Sequence, residues 1–299
     1  MKVVVVLNPG SGTLSIPANR EILLDALRNV GLDGNVIDIA DGGDIEAAVR
    51  PHLENGCQTV VAAGGDGTIN AVAALLAGTG VSLGVIPGGT LNHFAIDLGI
   101  PQDLAEAVAV LKSGATKLVD VGAVNGRIFV NNSGLGLYPE MVMQREEIRR
   151  HGFRKATALL MASVLTLFRF PLLRVRLEVN GKTIERRTPF VFVGNNPYEV
   201  EGLQFGGRSR IDSGKLCVWV ARRTRRFGLL RAVIAMAFKG LKGVRDLDVL
   251  ATREAVIRPR RKIVPVSLDG EVVKLRTPLQ YEIRPRALRV IVPSAGSEE

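Results

Sequence analysis

The fold is decided by the stretch TVVAAGGDGT at residues 59–68, where an apolar run ends in a glycine-rich turn. Residues 59–63 are β-branched and apolar enough for a buried strand, and an amphipathic stretch at 69–77 follows the turn. A strand, a glycine-rich turn and a helix in this order are typical of a βαβ unit. The stretch therefore predicts a parallel α/β domain if the pattern recurs.

The pattern does recur through the first 124 residues. The predicted strands are 3–7, 36–39, 59–63 and 83–86, and the predicted helices are 18–30, 44–55, 69–77 and 101–112. We expect Asp103 to be an acid in the first turn of the last of these helices. The alternation predicts an α/β fold with a parallel sheet, helices on both faces and ligand-binding loops at the carboxyl ends of the strands.

The second half of the chain has a different pattern, made of short extended runs separated by turn residues. These runs are 127–132, 173–179, 182–187, 190–193, 216–221 and 279–284. Asn180-Gly181 is a strong hairpin signal, and two helical stretches lie at 156–168 and 227–241. We expect a mostly antiparallel β-sandwich domain at 125–286, after the α/β domain at 1–124. No low-complexity linker separates the two, so we predict a cleft between them.

Composition narrows the class of protein. The 299 residues are 46% hydrophobic and 23% charged, which excludes disordered, collagenous and coiled-coil chains. The apolar run at 3–7 is too short for a signal-peptide core, so we expect an intracellular protein. Cys57 and Cys217 lie in apolar surroundings without metal-ligand spacing, which predicts buried, reduced thiols.

Charge is distributed unevenly along the chain. Residues 1–144 hold 7 basic and 14 acidic side chains, whereas residues 145–299 hold 32 and 15. The second half therefore carries a net charge of +17 against −7 for the first. This basic half indicates a polyanionic partner: an anionic membrane surface, a nucleic acid or a phosphorylated ligand.

Glycine-rich turns follow the first, third and fourth predicted strands, at 8–12, 64–68 and 87–92. Glycines allow the backbone to approach a ligand and to direct N–H groups at phosphate oxygens. Each turn alone is also compatible with an ordinary strand-to-helix connection, but three at one sheet edge favour a nucleotide site. Neither G-x-x-x-x-G-K-[ST] nor G-x-G-x-x-G is present, so the site is of another type. The candidate cofactor-binding residues in these turns are Asn8, Gly10, Ser11, Gly12, Gly64, Gly65, Asp66, Gly67, Thr68, Gly88, Gly89 and Thr90.

Asp66 is the most informative residue in these turns. A carboxylate in a phosphate-binding loop repels the ligand unless a cation bridges them, so Asp66 predicts Mg²⁺ bound together with nucleotide phosphates. The alternative is a local structural role, either in an Asx-turn or as the N-cap of the helix expected near Ile69.

The order and spacing of these motifs resemble the superfamily of diacylglycerol kinases, sphingosine kinases and bacterial lipid kinases. The resemblance rests on the three glycine-rich turns, on 118–122 with 131–136, and on Ser267-Leu268-Asp269-Gly270-Glu271. It covers nearly the whole chain. GGDGT alone is less specific, because NAD kinases and phosphofructokinases use similar loops.

The resemblance implies a two-domain kinase that uses ATP and Mg²⁺. It implies that Gly64–Thr68 and Asn70 contact the ATP phosphates and Mg²⁺, with Thr90 close by. Glu271 would be the catalytic base, and Asp120 would orient either Glu271 or the metal. It also implies that the chain end, 287–299, returns to the first domain. From spacing alone, a solvated hairpin turn is the favoured interpretation of Asp269-Gly270-Glu271, and the resemblance reverses this preference.

Some positions depart from the family pattern. Leu91 and His93 stand where many relatives have Gly and Asp, and we assign His93 no chemistry. Bacterial members hold a structural metal near an Asp-Gly-Leu-Leu stretch. Here Ser213 replaces an expected Asp and Lys215 adds positive charge, which weakens the case for this second metal site without deciding it.

Two basic segments suggest a membrane surface. Arginines at 222–226 and 231 lead into the amphipathic stretch 227–241, and basic residues at 145–155 precede the apolar stretch 156–168. Basic amphipathic helices bind anionic bilayers, although the same apolar faces could pack in the protein core.

The sequence therefore predicts a lipid kinase acting on a diacylglycerol-like hydroxyl, peripherally bound at the cytoplasmic membrane face. The alternatives are a kinase of a soluble acceptor such as NAD, or a non-catalytic binder of nucleotide, lipid or nucleic acid. Nucleic acid is not expected, because only 5% of residues are aromatic and no recognition motif is present. The sequence makes no prediction of oligomeric state.

Overall fold

Valine-rich segments form the central strands of a parallel sheet in the first half of the chain. β-Branched side chains favour strands because they pack well on a pleated, buried surface. Val3–Leu7 is buried along its whole length, as a strand in the middle of a sheet requires. The computed structural model describes residues 2–39, 43–136, 139, 172–198, 208, 210–221 and 247–294.

The first half alternates strands and helices. Its elements are β1 (Val3–Leu7), a 3₁₀ turn (Gly12–Ser15), α1 (Pro17–Asn29), a 3₁₀ turn (Asp33–Asn35), β2 (Val36–Asp38), α2 (Ile45–Glu54), β3 (Thr59–Gly64), α3 (Asp66–Leu76), β4 (Ser82–Pro87), α4 (His93–Asp97), α5 (Leu104–Ser113) and β5 (Ala115–Val124). Every strand and helix predicted for this half is present. The five-residue α4 was not predicted because it is too short for a periodic pattern.

Asp103 has a different role from the one predicted. It precedes α5 as the N-cap, and its carboxylate accepts hydrogen bonds from the N–H groups of Ala105 and Glu106 at 2.9 and 3.0 Å. The prediction of an acid in the first turn was therefore wrong by one position. The helix begins after Asp103 because this side chain satisfies N–H groups that have no partner within the helix.

The strand order of the parallel sheet creates a crevice for ligands. The order is β2-β1-β3-β4, so the chain moves to one side of β1 and then crosses to the other. Right-handed crossovers then place α1 on one face and α2 and α3 on the opposite face. The loops after β1 and β3 diverge at this reversal, which is where parallel sheets bind ligands.

The second half forms mainly antiparallel strands. They are β6 (Arg127–Phe129), β7 (Asn132–Gly136), β8 (Leu173–Val179), β9 (Lys182–Thr188), β10 (Phe190–Asn195), β11 (Leu216–Ala221), β12 (Leu247–Thr252), β13 (Glu254–Pro259), β14 (Ile263–Leu268), β15 (Glu271–Arg276) and β16 (Leu279–Val292). Asn180 and Gly181 form the predicted two-residue hairpin loop, with φ of +50° and +72°. The run predicted at 127–132 is divided between β6 and β7.

Two antiparallel layers of the second half share one core. One layer has the order β12-β11-β10-β7-β14-β15, and in the other β8 pairs with β9 and β13. Val175 and Leu177 of β8 belong to the same buried cluster as Val191 and Val193 of β10. This β-sandwich confirms the predicted fold class of the second half.

The described chain divides into two compact units. Unit 1 comprises Met1–Val121, Arg210–Asp212 and Arg284–Glu299, and unit 2 comprises Gly122–Ser209 and Ser213–Ile283. The strand β16 contributes to both. Its first residues pair with β13, and its Arg289 and Val290 pair in parallel with Ser82 and Leu83 of β4. The segment predicted to return to the first domain, 287–299, thus includes the part of β16 that pairs with β4.

Both cysteines are buried and free. Burial raises the pKa of the Cys217 thiol, and hydrogen bonds from Trp219 and Tyr198 oppose this effect in part. Cys57 directs its thiol at the carbonyl oxygen atoms of Thr59 and Lys2, at 3.1 and 3.4 Å. The prediction of buried, reduced core thiols is confirmed.

Candidate functional site

The three glycine-rich turns meet at the carboxyl edge of the parallel sheet in unit 1. We call them loop 1 (8–12), loop 2 (64–68) and loop 3 (87–92). The N–H of Gly88 donates to Gly64 O at 2.7 Å, which joins loop 3 to loop 2. The N–H of Thr13, just after loop 1, donates to Gly88 O at 2.9 Å. The loops are thus bonded to one another through their backbones.

Glycine is required where these loops touch. A Cβ atom on Gly89 would lie 2.7 Å from the Cα of Gly65 and 2.8 Å from Asn92 Oδ1. A Cβ atom on Gly12 would lie 2.8 Å from Gly88 O, and the φ of Gly12 is +30°. Since backbone atoms cannot yield as a flexible side chain would, any larger residue must push the loops apart.

Asn8 joins loop 1 to loop 2 through its side chain. Its Nδ2 donates to Thr68 Oγ1 at 3.2 Å, and its Oδ1 accepts from the N–H of Gly10 at 3.0 Å. Both polar ends of Asn8 therefore bond to the protein itself. Asn8 and Thr68 lie at the predicted site and hold its loops in place.

Asn92 organises loop 3, a role that our sequence analysis did not assign. It is buried with a φ of +51°, its Oδ1 accepts from the N–H of Gly89 at 2.9 Å, and its Nδ2 donates to Gly89 O and to Gln102 Oε1. Asn tolerates this left-handed backbone better than most residues. The sequence signal that could have indicated this role is an Asn three residues after the glycine pair Gly88-Gly89.

Asp66 and Asn70 present polar atoms that the described protein does not satisfy. The helix α3 begins at Asp66, three residues before the predicted start, so Asp66 and Asn70 lie one turn apart on the same helix face. The Oδ1 of Asp66 and both amide atoms of Asn70 are buried and have no hydrogen-bond partner. Buried polar groups are normally paired, so these atoms point to a ligand.

The alternative interpretation of Asp66 is wrong in part. The N-cap of α3 is Gly65, so Asp66 is a first-turn residue. Its unpartnered Oδ1 closes no Asx-turn. The helix starts earlier than predicted because Asp66, Gly67 and Thr68 of loop 2 form its first turn.

These residues fit a nucleotide phosphate with a magnesium ion. Mg²⁺ takes oxygen ligands and is commonly held by one or two carboxylates together with phosphates and water. The Oδ1 atoms of Asp66 and Asn70 are suitable oxygens, and the N–H groups at the start of α3 favour an anion. Within the described ranges, no group of three or more acidic, His or Cys side chains could hold a metal.

The remaining predicted binding residues border the same loops. Ser11 precedes the 3₁₀ turn at Gly12–Ser15, Gly10 and Thr90 are exposed at the tips of their loops, and Gly67 is exposed in the first turn of α3. His93 is an exposed residue at the first position of α4. The structure does not test whether any of these residues contacts ATP, so their role in ATP binding stays a prediction.

Asp120 lies on β5 within unit 1 and is 1% exposed. Its Oδ1 accepts a hydrogen bond from the N–H of Arg286 at 2.9 Å, and its own N–H donates to Ile211 O. Arg286 has a φ of +54°, so Asp120 holds a strained position of β16. Its predicted role beside Glu271 or the metal stays a prediction.

The motif Asp269-Gly270-Glu271 is a tight hairpin of unit 2. Asp269 and Gly270 link β14 to β15 with φ of +48° and +92°. Glu271 is exposed at the first position of β15. The alternative prediction of a hairpin turn is therefore correct for the backbone, and a catalytic role of Glu271 stays a prediction.

The Asp269 carboxylate bonds within the protein, whereas the alternative prediction was a solvated hairpin turn. It accepts hydrogen bonds from the N–H groups of Val130, Asn131 and Asn132 at 2.7, 2.8 and 2.8 Å. Burial raises the pKa of Asp269 to about 6, while these hydrogen bonds and the charge of Arg208 act in the opposite direction. The carboxylate therefore anchors the hairpin to the segment before β7.

Arg208 holds the same segment from another side. It is 4% exposed, and its Nη1 donates to Val130 O at 2.6 Å and to Asn195 O at 3.0 Å. Its Nη2 donates to Asn131 Oδ1 at 2.8 Å. Sequence reasoning missed Arg208 because no local pattern distinguishes it from the other basic residues of this half.

The second metal site of bacterial relatives does not fit this chain. The N–H and Oγ of Ser213 both donate to Asn196 Oδ1, at 2.8 and 2.6 Å. Asp212 lies 3.4 Å from the guanidinium of Arg210. The hydroxyl is thus engaged within the protein, and Asp212 has a cationic neighbour.

The predicted membrane segments, at 145–168 and 222–241, lie outside the described residues. Within the part of the chain that the structure describes, no helix has the length and apolar character needed to span a bilayer.

Two family models match the chain. The model of the diacylglycerol kinase catalytic domain matches residues 2–124, and that of the YegS C-terminal NAD kinase beta sandwich-like domain matches residues 141–292. These two ranges correspond to the two halves distinguished by the sequence pattern.

Individual relatives are similar over most of their length. A YegS-like protein of Pseudomonas aeruginosa, named a probable lipid kinase, is 31% identical over 91% of this chain and 88% of its own. A diacylglycerol kinase of Bacillus subtilis is 25% identical over 99% of this chain and 97% of its own. The crystal structure of a diacylglycerol kinase from Bacillus anthracis has a TM-score of 0.72 at 23% identity, covering 98% and 97% of the two chains, and shows the same fold.

Proposed function

Because the chain belongs to the family of diacylglycerol kinases and YegS-like lipid kinases, we propose that it transfers the γ-phosphate of ATP to a hydroxyl of a diacylglycerol-like membrane lipid. The reaction would require Mg²⁺. The protein would act at the cytoplasmic face of the membrane, where such acceptors are found. The family supports a kinase, and the acceptor, the metal and the location are our proposal.

One observation carries this proposal. Three loops converge at the reversal of strand order, and beside them three buried polar atoms of Asp66 and Asn70 have no partner within the described protein. An unpaired buried polar group costs about 1–3 kcal/mol, which a bound ligand would recover. The first turn of α3 adds N–H groups suited to phosphate oxygens.

Each residue of the candidate site would have its own role in the reaction. The N–H groups of loop 2 and the amide of Asn70 would orient the phosphates, and Asp66 would hold the cation. Mg²⁺, when bound, supplies positive charge that stabilises the negative charge on the transferred phosphoryl group. We assign Glu271 the role of base for the acceptor hydroxyl, since a carboxylate can accept the proton that this oxygen loses.

Phosphoryl transfer to lipids tests the proposal directly. Labelled γ-phosphate of ATP would be followed into a panel of lipids in mixed micelles with Mg²⁺, for the wild type, Asp66→Asn and Glu271→Gln. We expect lipid-dependent labelling that falls by about 100-fold or more in Glu271→Gln, the usual size of the effect for a lost acid–base group. Labelling should also be largely lost in Asp66→Asn, because the cation would lose its carboxylate ligand.

Matched controls separate the site from general effects of charge. Asp25→Asn in unit 1 and Glu185→Gln in unit 2 make the same chemical changes at exposed positions, and both should label lipid as the wild type does. Labelling that persists in Asp66→Asn would contradict the role of Asp66. Absence of ATP binding in the wild type would overturn the nucleotide site.

A second candidate acceptor is NAD. The C-terminal half matches a model described as NAD kinase beta sandwich-like, which is a likeness of fold. NAD therefore belongs in the acceptor panel. Labelling of NAD without labelling of any lipid would favour this candidate over the lipid.

A further inference from the structure

Unit 2 contains a cavity of about 270 Å³. It lies between the end of β7, the start of β8 and the turn from β13 to β14. Its volume is near the lower end of the roughly 300–1,000 Å³ typical of small-ligand pockets, so it can hold part of an amphiphile. None of its residues belongs to the three glycine-rich loops.

The interior of this cavity is apolar. Leu135 and Val264 are buried at its wall, and Leu172, Leu173 and Pro265 line it while partly exposed. Among the described residues that line it, none is aromatic. The apolar lining suits a hydrocarbon chain.

The rim of the cavity is strongly basic. Arg174, Arg260 and Arg261 line it and are exposed. Among the described residues, no carboxylate forms an ion pair with any of the three. By contrast, Arg176 on β8 and Arg258 on β13 share Glu178, at 3.6 and 3.0 Å.

Strand register brings like charges together at this rim. The pairing of Pro259 with Val175 brings Arg260 level with Arg174. Like charges directly opposite each other in a sheet are destabilising. An anion at the rim would relieve this repulsion, and guanidinium groups bind phosphate oxygens through paired hydrogen bonds.

We propose that this cavity, with Arg174, Arg260 and Arg261 at its rim, binds an anionic phospholipid, with the phosphate at the arginines and hydrocarbon in the apolar interior. Charge complementarity selects the phosphate, and the apolar wall distinguishes a lipid from free phosphate. The site is additional to the glycine-rich loops, and it does not depend on which acceptor the protein phosphorylates.

Binding of a short-chain lipid below its micelle concentration tests the site without a membrane surface. Dihexanoylphosphatidylglycerol would be titrated into the full-length protein and into the variant Arg174→Gln/Arg260→Gln/Arg261→Gln. The matched control, Arg127→Gln/Lys182→Gln/Lys274→Gln, removes three exposed positive charges of unit 2 outside the cavity. We expect affinity to fall by about tenfold or more in the cavity variant alone, since each basic residue contributes to binding an anionic lipid.

Four results would overturn the proposal. They are equal binding by the cavity variant, equal weakening in the control variant, equal affinity for dihexanoylphosphatidylcholine, and displacement of the lipid by inorganic phosphate at the same concentration. Arg174→Gln provides an independent readout in thermal unfolding. Without lipid it should be at least as stable as the wild type because repulsion is relieved, and with lipid it should gain less stability.

Discussion

At the scale of single residues, Asn70 carries the clearest sign of a ligand. Both atoms of its amide are buried on α3 without a partner, one turn after Asp66. A protein stabilised only by its own contacts would place an apolar side chain here. The unpaired amide therefore lowers the stability of the ligand-free protein, and a bound ligand would restore it.

Asn70→Leu should separate stability from binding. We expect the ligand-free variant to be as stable as the wild type or more stable, by up to about 1 kcal/mol, because two unpaired polar atoms are removed. The increase in melting temperature on adding ATP with Mg²⁺ should be lost. Thermal unfolding with and without nucleotide measures both.

Asn19 offers the matched comparison. Its amide donates to Thr13 O at 2.9 Å, so Asn19→Leu should lose stability and keep the response to nucleotide. If Asn70→Leu instead loses stability and keeps that response, the Asn70 amide serves the fold.

Asp269 makes stability depend on pH. Burial raises its pKa in the folded protein from 3.8 to about 6, so folding favours the protonated form. Its contribution to stability is therefore fully present below about pH 4 and is lost as pH rises through about 6. Urea unfolding between pH 4 and 8 should show this loss, on the order of 1–3 kcal/mol.

Asp269→Asn identifies the group responsible. The variant should be less stable throughout, because an amide cannot accept all three backbone N–H groups and leaves one unpaired. Its stability should also vary less between pH 4 and 7. An unchanged slope would show that another group titrates.

At the scale of elements, the two tight hairpins of unit 2 allow a controlled comparison. Gly181 and Gly270 occupy equivalent turn positions with φ of +72° and +92°, and a Cβ atom on either would meet nothing within 4 Å. Substitution by Ala therefore changes only the backbone preference, at a cost of about 1–2 kcal/mol in each case.

Only one of these hairpins carries the proposed base. We expect Gly270→Ala and Gly181→Ala to lose similar stability by chemical unfolding, while phosphoryl transfer falls only in Gly270→Ala, which displaces Glu271. Equal activity in the two variants would argue against a role of Glu271 in the reaction.

The contact between loops 2 and 3 is a second element on which the proposed function depends. In Gly89→Ala the new Cβ atom would lie 2.7 Å from the Cα of Gly65, so the loops must separate. We expect nucleotide binding to weaken by about tenfold or more, since the N–H groups lose their alignment. Calorimetric titration with ATP and Mg²⁺ measures this.

Gly34→Ala is the control for this change. A Cβ atom there meets nothing within 4 Å, and its φ lies outside the positive range. This variant should bind nucleotide as the wild type does. Normal binding by Gly89→Ala would mean that loop spacing does not set affinity.

At the scale of the whole molecule, the division of charge predicts how the protein associates with membranes. The second half carries +17 and the first −7, so the basic half should bind anionic vesicles by long-range attraction. Salt screens such attraction, and the screening length falls from about 10 Å at 0.1 M to about 3 Å at 1 M. Cosedimentation with phosphatidylglycerol vesicles should therefore decline steeply as salt is raised.

Nucleic acid is the competing polyanion. Retention on DNA at the same salt concentration should be weaker than retention on vesicles, because the sequence shows no recognition motif. A preference for DNA would contradict the proposed membrane role. Binding that is unaffected by salt would indicate apolar insertion as the main force.

Local sequence patterns were enough to predict β1–β4, α1–α3, α5 and the glycine-rich motifs. Alternating apolar runs and glycine turns specified the parallel sheet, and Asn180-Gly181 specified its hairpin, because these signals depend on backbone preference and on neighbours a few positions away. The resemblance in the glycine turns and in Ser267–Glu271 also identified the family.

Polar contacts between distant residues became visible only in the folded chain. Arg208 bonds to Val130, Asp269 anchors Val130–Asn132, and Arg174 lies level with Arg260. These relations join residues separated by up to 139 positions and depend on strand order, register and burial. Local sequence patterns do not contain them, because a hydrogen bond or a like-charge contact exists only once the chain has folded.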